Sequence, residues 1–240
     1  MVSGACSGVP WEFFQYDRIV FSIHSYYYEV MPEAALRHGD RRRRSILRAA
    51  LDVCSAEGLE GVSIGRLARE VGLSKSGLAA HYDSKRALQL ATVDAAVEAF
   101  EALVIEPTRA AEAGLERLVA MMSAWLRYVD EIEYRGGCFF AAAGHETASR
   151  PGPLHDRIAD YTRGWIVALE REARTARRLG EIAATLEPAQ LAFELHAFVQ
   201  EANLRRQLFG EPDAFQRARA AIAASFERVK TAPPSNGDRK

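Results

Sequence analysis

Cysteine, proline, long apolar runs and charge of one sign are all scarce in this 240-residue sequence, and each shortage closes off a class of protein. The three cysteines, Cys6, Cys54 and Cys138, are odd in number, scattered and never in a Cys-x-x-Cys pair. That argues against both a disulfide framework and a zinc site, and suits a reducing compartment. No metal and no cofactor is expected. The apolar stretch from Ile19 to Met31 is interrupted by His24 and Glu29 and is too short to span a bilayer. The N-terminus lacks the basic start and apolar run of a signal peptide, so "SGAC" at Cys6 does not read as a lipoprotein cleavage site. A soluble, cytoplasmic protein with no membrane partner is expected. Two catalytic signatures are missing as well: there is no His-Glu-x-x-His and no phosphate loop. His145-Glu146 with His155-Asp156, or Cys138 with His145, can be imagined as a metal or nucleophile site. The His145–His155 spacing does not return to one helical face, and Pro151 and Pro153 break the segment between them. An enzyme is not expected.

What is present favours helix. The chain is rich in Ala, Arg, Glu and Leu, with only nine prolines. Net charge is −1, but residues 41–88 hold ten Lys/Arg against five Asp/Glu, an excess of +5 (10 − 5). Such a local excess on a neutral chain points to an anionic partner for that segment.

Residues 1–40 differ from the rest. "WEFFQYDRIVFSIHSYYYEVM" is dense in aromatics and has no helical period. Two readings stay open: an extra strand-like or disordered arm, or upstream sequence ahead of a natural start at Met31. From Ser45 the pattern is helical. Ile46, Leu47, Ala50, Leu51 and Cys54 form one apolar face, and Gly58 supplies a stop. Ser63 caps a short second helix carrying Ile64, Leu67, Ala68 and Val71, and Gly72 ends it. Ser74 caps a third helix, Lys75 to about His81. Ser84 caps a fourth, Lys85 to about Ile105, stopped by Pro107.

Helix, helix, tight glycine turn, helix is a helix-turn-helix, whose second member lies in the major groove of double-stranded DNA. The third helix is small and polar because DNA covers its outer face. Ser76 and Gly77 let the backbone approach closely, and Lys75 reaches a phosphate or a guanine edge. Lys85 and Arg86 stand in the first turn of the fourth helix, where the macrodipole disfavours cations. A phosphate docked there accounts for both. His81 and Tyr82 are expected to donate to neighbouring phosphates, and Arg41, Arg42, Arg43 and Arg44 to form an arm ahead of the first helix.

At these residues, "ILRAALDVCSAEGLEGVSIGRLAREVGLSKSGLAAHYDSKRAL" resembles the DNA-binding domain of the TetR family of bacterial transcriptional regulators. By that resemblance Ser63 caps the second helix near phosphate, Ser74 and Lys75 open the recognition helix, and Lys85 starts the fourth. Two positions depart from the pattern: Ala79 replaces a common Tyr, and Arg86 replaces a usual acidic residue. "YRGGCFFAAAGHETASRPGP" and "LAFELHAFVQEANLRRQLFG" look like one branch of the family. The resemblance implies a homodimer reading a palindromic operator and a small-molecule effector of unknown identity that releases a repressor.

The expected architecture is all-α. It comprises a helix-turn-helix domain at 41–101, a helical effector and dimerisation bundle at 102–230, and a disordered tail at 231–240. Helices are expected near 110–134, 138–149, 153–179, 188–209 and 213–230. Pro188 suits a first helical position and Gly210 a stop. Met121, Trp125, Tyr128, Phe139, Phe140, Tyr161, Trp165 and Phe193 make the middle aromatic, which serves either a plain core or an apolar pocket. His145, Glu146 and His196 are its candidate orienting groups. Cys54 is expected in the core. Cys138 is read as a buried residue at a tight turn, with a redox switch as the alternative.

Overall fold

In the computed structural model, which describes residues 38–132 and 134–230, nine α-helices follow one another, with no strand among the described residues. They are α1 (His38–Gly61), α2 (Ile64–Glu70), α3 (Lys75–Ala79), α4 (Lys85–Phe100), α5 (Leu115–Glu131), α6 (Phe139–Thr147), α7 (Pro153–Leu179), α8 (Pro188–Phe209) and α9 (Ala214–Val229). The fold is all-α, as expected. Both readings of residues 1–30, and the expected tail at 231–240, lie outside the described residues.

The punctuation follows local chemistry. Ser63, Ser74 and Ser84 each sit in extended conformation and accept from the backbone N–H three residues on, starting α2, α3 and α4. Pro153 and Pro188 open α7 and α8, where a missing N–H costs nothing, and Gly180 and Gly210 close them in the left-handed conformation.

Several boundaries differ from the sequence reading, among them the start of α5, which is Leu115 where a helix is expected from near 110. The arginines Arg41–Arg44 fall inside α1 rather than forming an arm ahead of it. Arginine is a good helix former, and nothing between His38 and Ser45 breaks the ladder. Helix α3 stops at Ala79, short of His81. Helix α4 ends at Phe100, after which Glu101–Ile105 widens into a π turn and Glu106–Thr108 closes as a 3-10 turn. Pro107 explains this, because it has no N–H for the carbonyl one turn back and its ring crowds that carbonyl.

The core of the first helices is not self-contained. Ile46, Leu51, Leu67, Leu78 and Leu88 share one buried cluster with Phe139 and Ala143 of α6 and with Leu154 and Ile158 of α7. Helix α6 packs along α1, while α8 pairs extensively with both α7 and α9. Cys54 is buried in this cluster. Burial pushes its thiol far above the usual range.

Candidate nucleic-acid interface and aromatic cluster

The turn between α2 and α3 is built on Gly72, whose φ of +64° only glycine adopts without strain, and on Leu73, whose N–H returns to the Ala68 carbonyl at 2.8 Å. Leu78 is fully buried and anchors the five-residue α3. Lys75, Ser76, Ala79 and Ala80 are exposed. The Ser74 hydroxyl accepts from Gly77 N at 2.9 Å and lies 3.2 Å from the Ser76 hydroxyl. A Cβ at Gly77 would come within 3.0 Å of that capping oxygen, so glycine there protects the cap. Ser63 Oγ accepts from Arg66 N at 3.3 Å. The Arg66 side chain is held by Glu57 and Glu70, which ties α2 to α1.

Several side chains sit otherwise than expected. Tyr82 is 4% exposed, and its hydroxyl is buried without a partner. It packs in the core beneath Arg43, whose guanidinium lies 5.4 Å from the ring centre, so it does not donate to a phosphate. Lys85 Nζ donates to the Glu60 carboxylate at 2.7 Å and to the Glu60 carbonyl at 3.0 Å, which explains a cation in the first turn of α4 without an anion. The same ion pair holds the Glu60 carboxyl below its usual range. Arg86, in contrast, is exposed, and His81 is half-buried. Of the arginine run, Arg41 and Arg43 are exposed and Arg42 and Arg44 half-buried.

A joint that sequence reasoning missed connects α1 to the rest of the chain. Gly58, at φ 74° and ψ 176°, breaks the hydrogen-bond ladder of α1 and frees the N–H groups that follow. The Glu146 carboxylate of α6 accepts both, from Leu59 N at 2.5 Å and Glu60 N at 3.0 Å. Glu146 is therefore a clasp on α1, not an orienting group in a pocket. Beside it, Arg135 donates to Asp52 at 2.7 Å, and Gly136 N donates to the Ser55 hydroxyl at 3.1 Å. A Cβ on Gly136 would lie 1.9 Å from the Ser55 carbonyl oxygen. Cys138 N donates to Asn203 Oδ1 of α8 at 3.1 Å, so the "GGC" stretch is held between α1 and α8. Cys138 is buried, and burial pushes its thiol up, away from the thiolate a redox switch needs.

The aromatic residues converge around Phe100, which sequence reading did not name. Its ring meets Trp165 at 5.0 Å, Tyr128 at 5.5 Å, Tyr161 at 5.9 Å and Phe140 at 6.0 Å, all edge to face. Trp165 meets Trp125 at 5.4 Å, and Trp125 meets His196 at 5.2 Å. Phe140 stacks on Tyr161 and touches Phe139. Burial holds the His196 pKa below its ordinary value, which favours the neutral ring. Two named residues are elsewhere. His145 is exposed and bonds the Ala141 carbonyl on its own helix, and Phe193 is 68% exposed on α8. Both are off the buried stripe of their helices. Among the described residues, no three His, Cys, Asp or Glu gather as metal ligands, and no helix is long and apolar enough to cross a membrane.

Comparison with known proteins agrees with this geometry. Residues 46–92 match the profile described as bacterial regulatory proteins, tetR family, and residues 114–222 match the tetracyclin repressor-like C-terminal domain. No curated protein matches the chain at a significant level. Among solved structures, a TetR transcriptional regulator from Chloroflexus aurantiacus is similar in fold. It has a TM-score of 0.74 and 21% identity over 82% of this chain and 100% of its own. A TetR-family regulator from Cytophaga hutchinsonii aligns with a TM-score of 0.70 at 18% identity, over 82% of this chain and 99% of its own. AibR, solved with isovaleryl coenzyme A and operator DNA, aligns with a TM-score of 0.64 at 24% identity, over 77% of this chain and 98% of its own.

Proposed function

The chain belongs to the tetR family of bacterial transcriptional regulators, and from that premise we propose that it is a homodimeric repressor released from a palindromic operator by a small-molecule effector. The observation that carries the DNA-reading half is α3: one buried leucine, Leu78, anchors it, and Lys75, Ser76, Ala79 and Ala80 face outward. Ser63, Ser74, Gly77, His81, Arg86 and the arginines of α1 flank that face as phosphate contacts. Tyr82 shapes the core beneath them, and Lys85 braces α1.

The dimer reading rests on α8. Phe193, Leu204 and Leu208 are 68%, 46% and 65% exposed. They recur at helical spacing on the side opposite the buried Leu191, Leu195 and Val199, while the neighbouring α9 offers the small residues Ala220 and Ala224. A two-fold partner laying its own α8 and α9 there covers the stripe. It also sets two α3 helices roughly 34 Å apart, one DNA turn.

Release works as a population shift. Phe140 of α6 belongs to the aromatic cluster, and Glu146 of the same helix holds α1. An effector seated among the rings moves α6 and with it the reading helices of the two subunits. AibR, a relative in fold, has been seen with both an acyl coenzyme A and operator DNA. In cells such a protein acts in the cytoplasm, where its DNA is. The dimer is tested by Leu208→Glu, which is expected to halve the mass seen by light scattering and to cut operator affinity at least about a hundredfold, since one half-site alone must then hold the protein. A Leu208→Glu protein that stays dimeric removes α8 from the interface.

A further inference from the structure

We propose that the aromatic cluster takes an uncharged, planar aromatic compound carrying a carbonyl oxygen, and that the indole N–H groups of Trp125 and Trp165 are the donors that recognise it. This rests on the reading of the chain as an effector-responsive regulator. Trp125 and Trp165 are 2% and 7% exposed, their rings touch at 5.4 Å, and neither indole N–H has a hydrogen-bond partner. An indole has one donor and no acceptor, and burying that donor unpaired costs its desolvation. Phenylalanine would fill most of the same space without that cost. Two adjacent orphaned donors in one cluster are therefore a receptor for acceptor atoms. A carbonyl oxygen, with two lone pairs, satisfies one or both.

The surroundings set charge and shape. Phe100 and His196 press their rings against the two indoles, which selects a flat, polarisable ligand. A carboxylate would need a cation beside it. Burial disfavours the charged form of His196, and the two cation–π contacts among the described residues, Arg43 on Tyr82 and Arg206 on Phe215, lie outside the cluster. A ligand cation would meet the positive ends of the two N–H dipoles. Tyr161, which stacks on Phe140, also lines a surface cavity of about 560 Å³ between α4 and α7, and this cavity is the proposed way in. Asp94, Glu98 and Asp160 line that cavity, with Arg157 paired to Asp94, so the approach also disfavours anions. Entry from there requires the Tyr161 ring to rotate away from Phe140 and Phe100.

The decisive comparison is fluorene against fluorenone, which differ by the carbonyl oxygen, titrated calorimetrically into the full chain. Fluorenecarboxylate and a methylacridinium cation serve as charged controls. Fluorenone is expected to bind roughly ten- to thirtyfold more tightly than fluorene, as two hydrogen bonds to one oxygen provide, and more tightly than either ion. Trp125→Phe and Trp165→Phe, singly and together, are expected to bring fluorenone affinity down toward that of fluorene in the same variant, removing the preference. Equal affinity for fluorene and fluorenone in the unaltered chain overturns the proposal. So does tighter binding of either ion, or binding of none of the four. The same preparation is assayed for operator DNA. Intact DNA binding with no carbonyl preference sinks the ligand class alone, whereas absent DNA binding removes the regulator reading beneath it.

Discussion

Glu146→Ala tests the joint between α6 and α1. The carboxylate accepts two backbone N–H groups, Leu59 N at 2.5 Å and Glu60 N at 3.0 Å, that the break at Gly58 leaves without an intrahelical partner. Hydrogen bonds to a charged acceptor contribute about 1.5–3 kcal/mol each, and a buried donor left alone adds its own penalty. The Glu146 side chain is 17% exposed, so water recovers part of the loss. A net destabilisation of about 2–3 kcal/mol is expected, read as a fall in the urea midpoint at unchanged slope. Glu146→Gln is the sharper probe. Its amide keeps one acceptor oxygen but turns an NH2 toward a backbone N–H, so its cost approaches that of alanine despite its near-identical shape. Operator affinity without effector is expected to change little in either variant, while the effector-induced loss of affinity weakens because α6 no longer grips α1. An alanine variant within about 0.5 kcal/mol of the parent, or one whose effector response is intact, refutes the clasp.

Three further outcomes follow from the same contacts. Arg86→Ala is expected to lower affinity for all DNA sequences alike and to reduce the salt slope by about one, whereas Lys85→Ala leaves the slope nearly unchanged because its charge is taken by Glu60. Fluorescence anisotropy between low and physiological salt distinguishes the two, and the reverse order contradicts the assignment. The His196 pKa is depressed in the folded state, so the unfolded chain takes the proton first. The stability gained from the neutral ring is full above the unfolded pKa of about 6.5 and is lost as the pH falls through the folded pKa. Urea melts from neutral to acidic pH are expected to show that decline, and His196→Gln to flatten it. Gly136→Ala drives a methyl into the backbone of Ser55, with 1.9 Å to its oxygen and 2.2 Å to its carbonyl carbon. A loss of about 3 kcal/mol or more is expected by thermal denaturation, and a neutral result would contradict the packing of "GGC" against α1.

What the sequence disclosed was local. Serine caps, proline starts and glycine stops act within one turn, so α2, α3, α7 and α8 were legible, α7 and α8 to the residue. The end of α4 was misjudged because Pro107 disturbs the carbonyl a full turn earlier. Tyr82 was expected outside because the turn after α3 hides which way its ring swings, and only Arg43 and the core cluster show it to be inward. Glu60 and Lys85 are 25 residues apart, and Glu146 and Leu59 are 87 apart. No periodicity links such pairs, so a cation that braces a helix reads as one that awaits a phosphate. Phe193 is the instructive case. Leu191, Leu195 and Val199 already define the buried face of α8, and a residue two positions beyond Leu191 stands on the opposite side. The aromatic cluster was visible as a set of residue types, but its centre, Phe100, lies at the very end of α4, where the sequence signal of the helix was blurred.

Whether α3 reads sequence is tested by selection of genomic DNA fragments by the purified protein at near-physiological salt, followed by sequencing. The expected result is a few fragments sharing a short inverted repeat with half-sites about one turn apart, protected symmetrically as a dimer would protect them. Uniform weak recovery of every fragment would contradict it, leaving α3 as part of a basic surface rather than a reader of sequence.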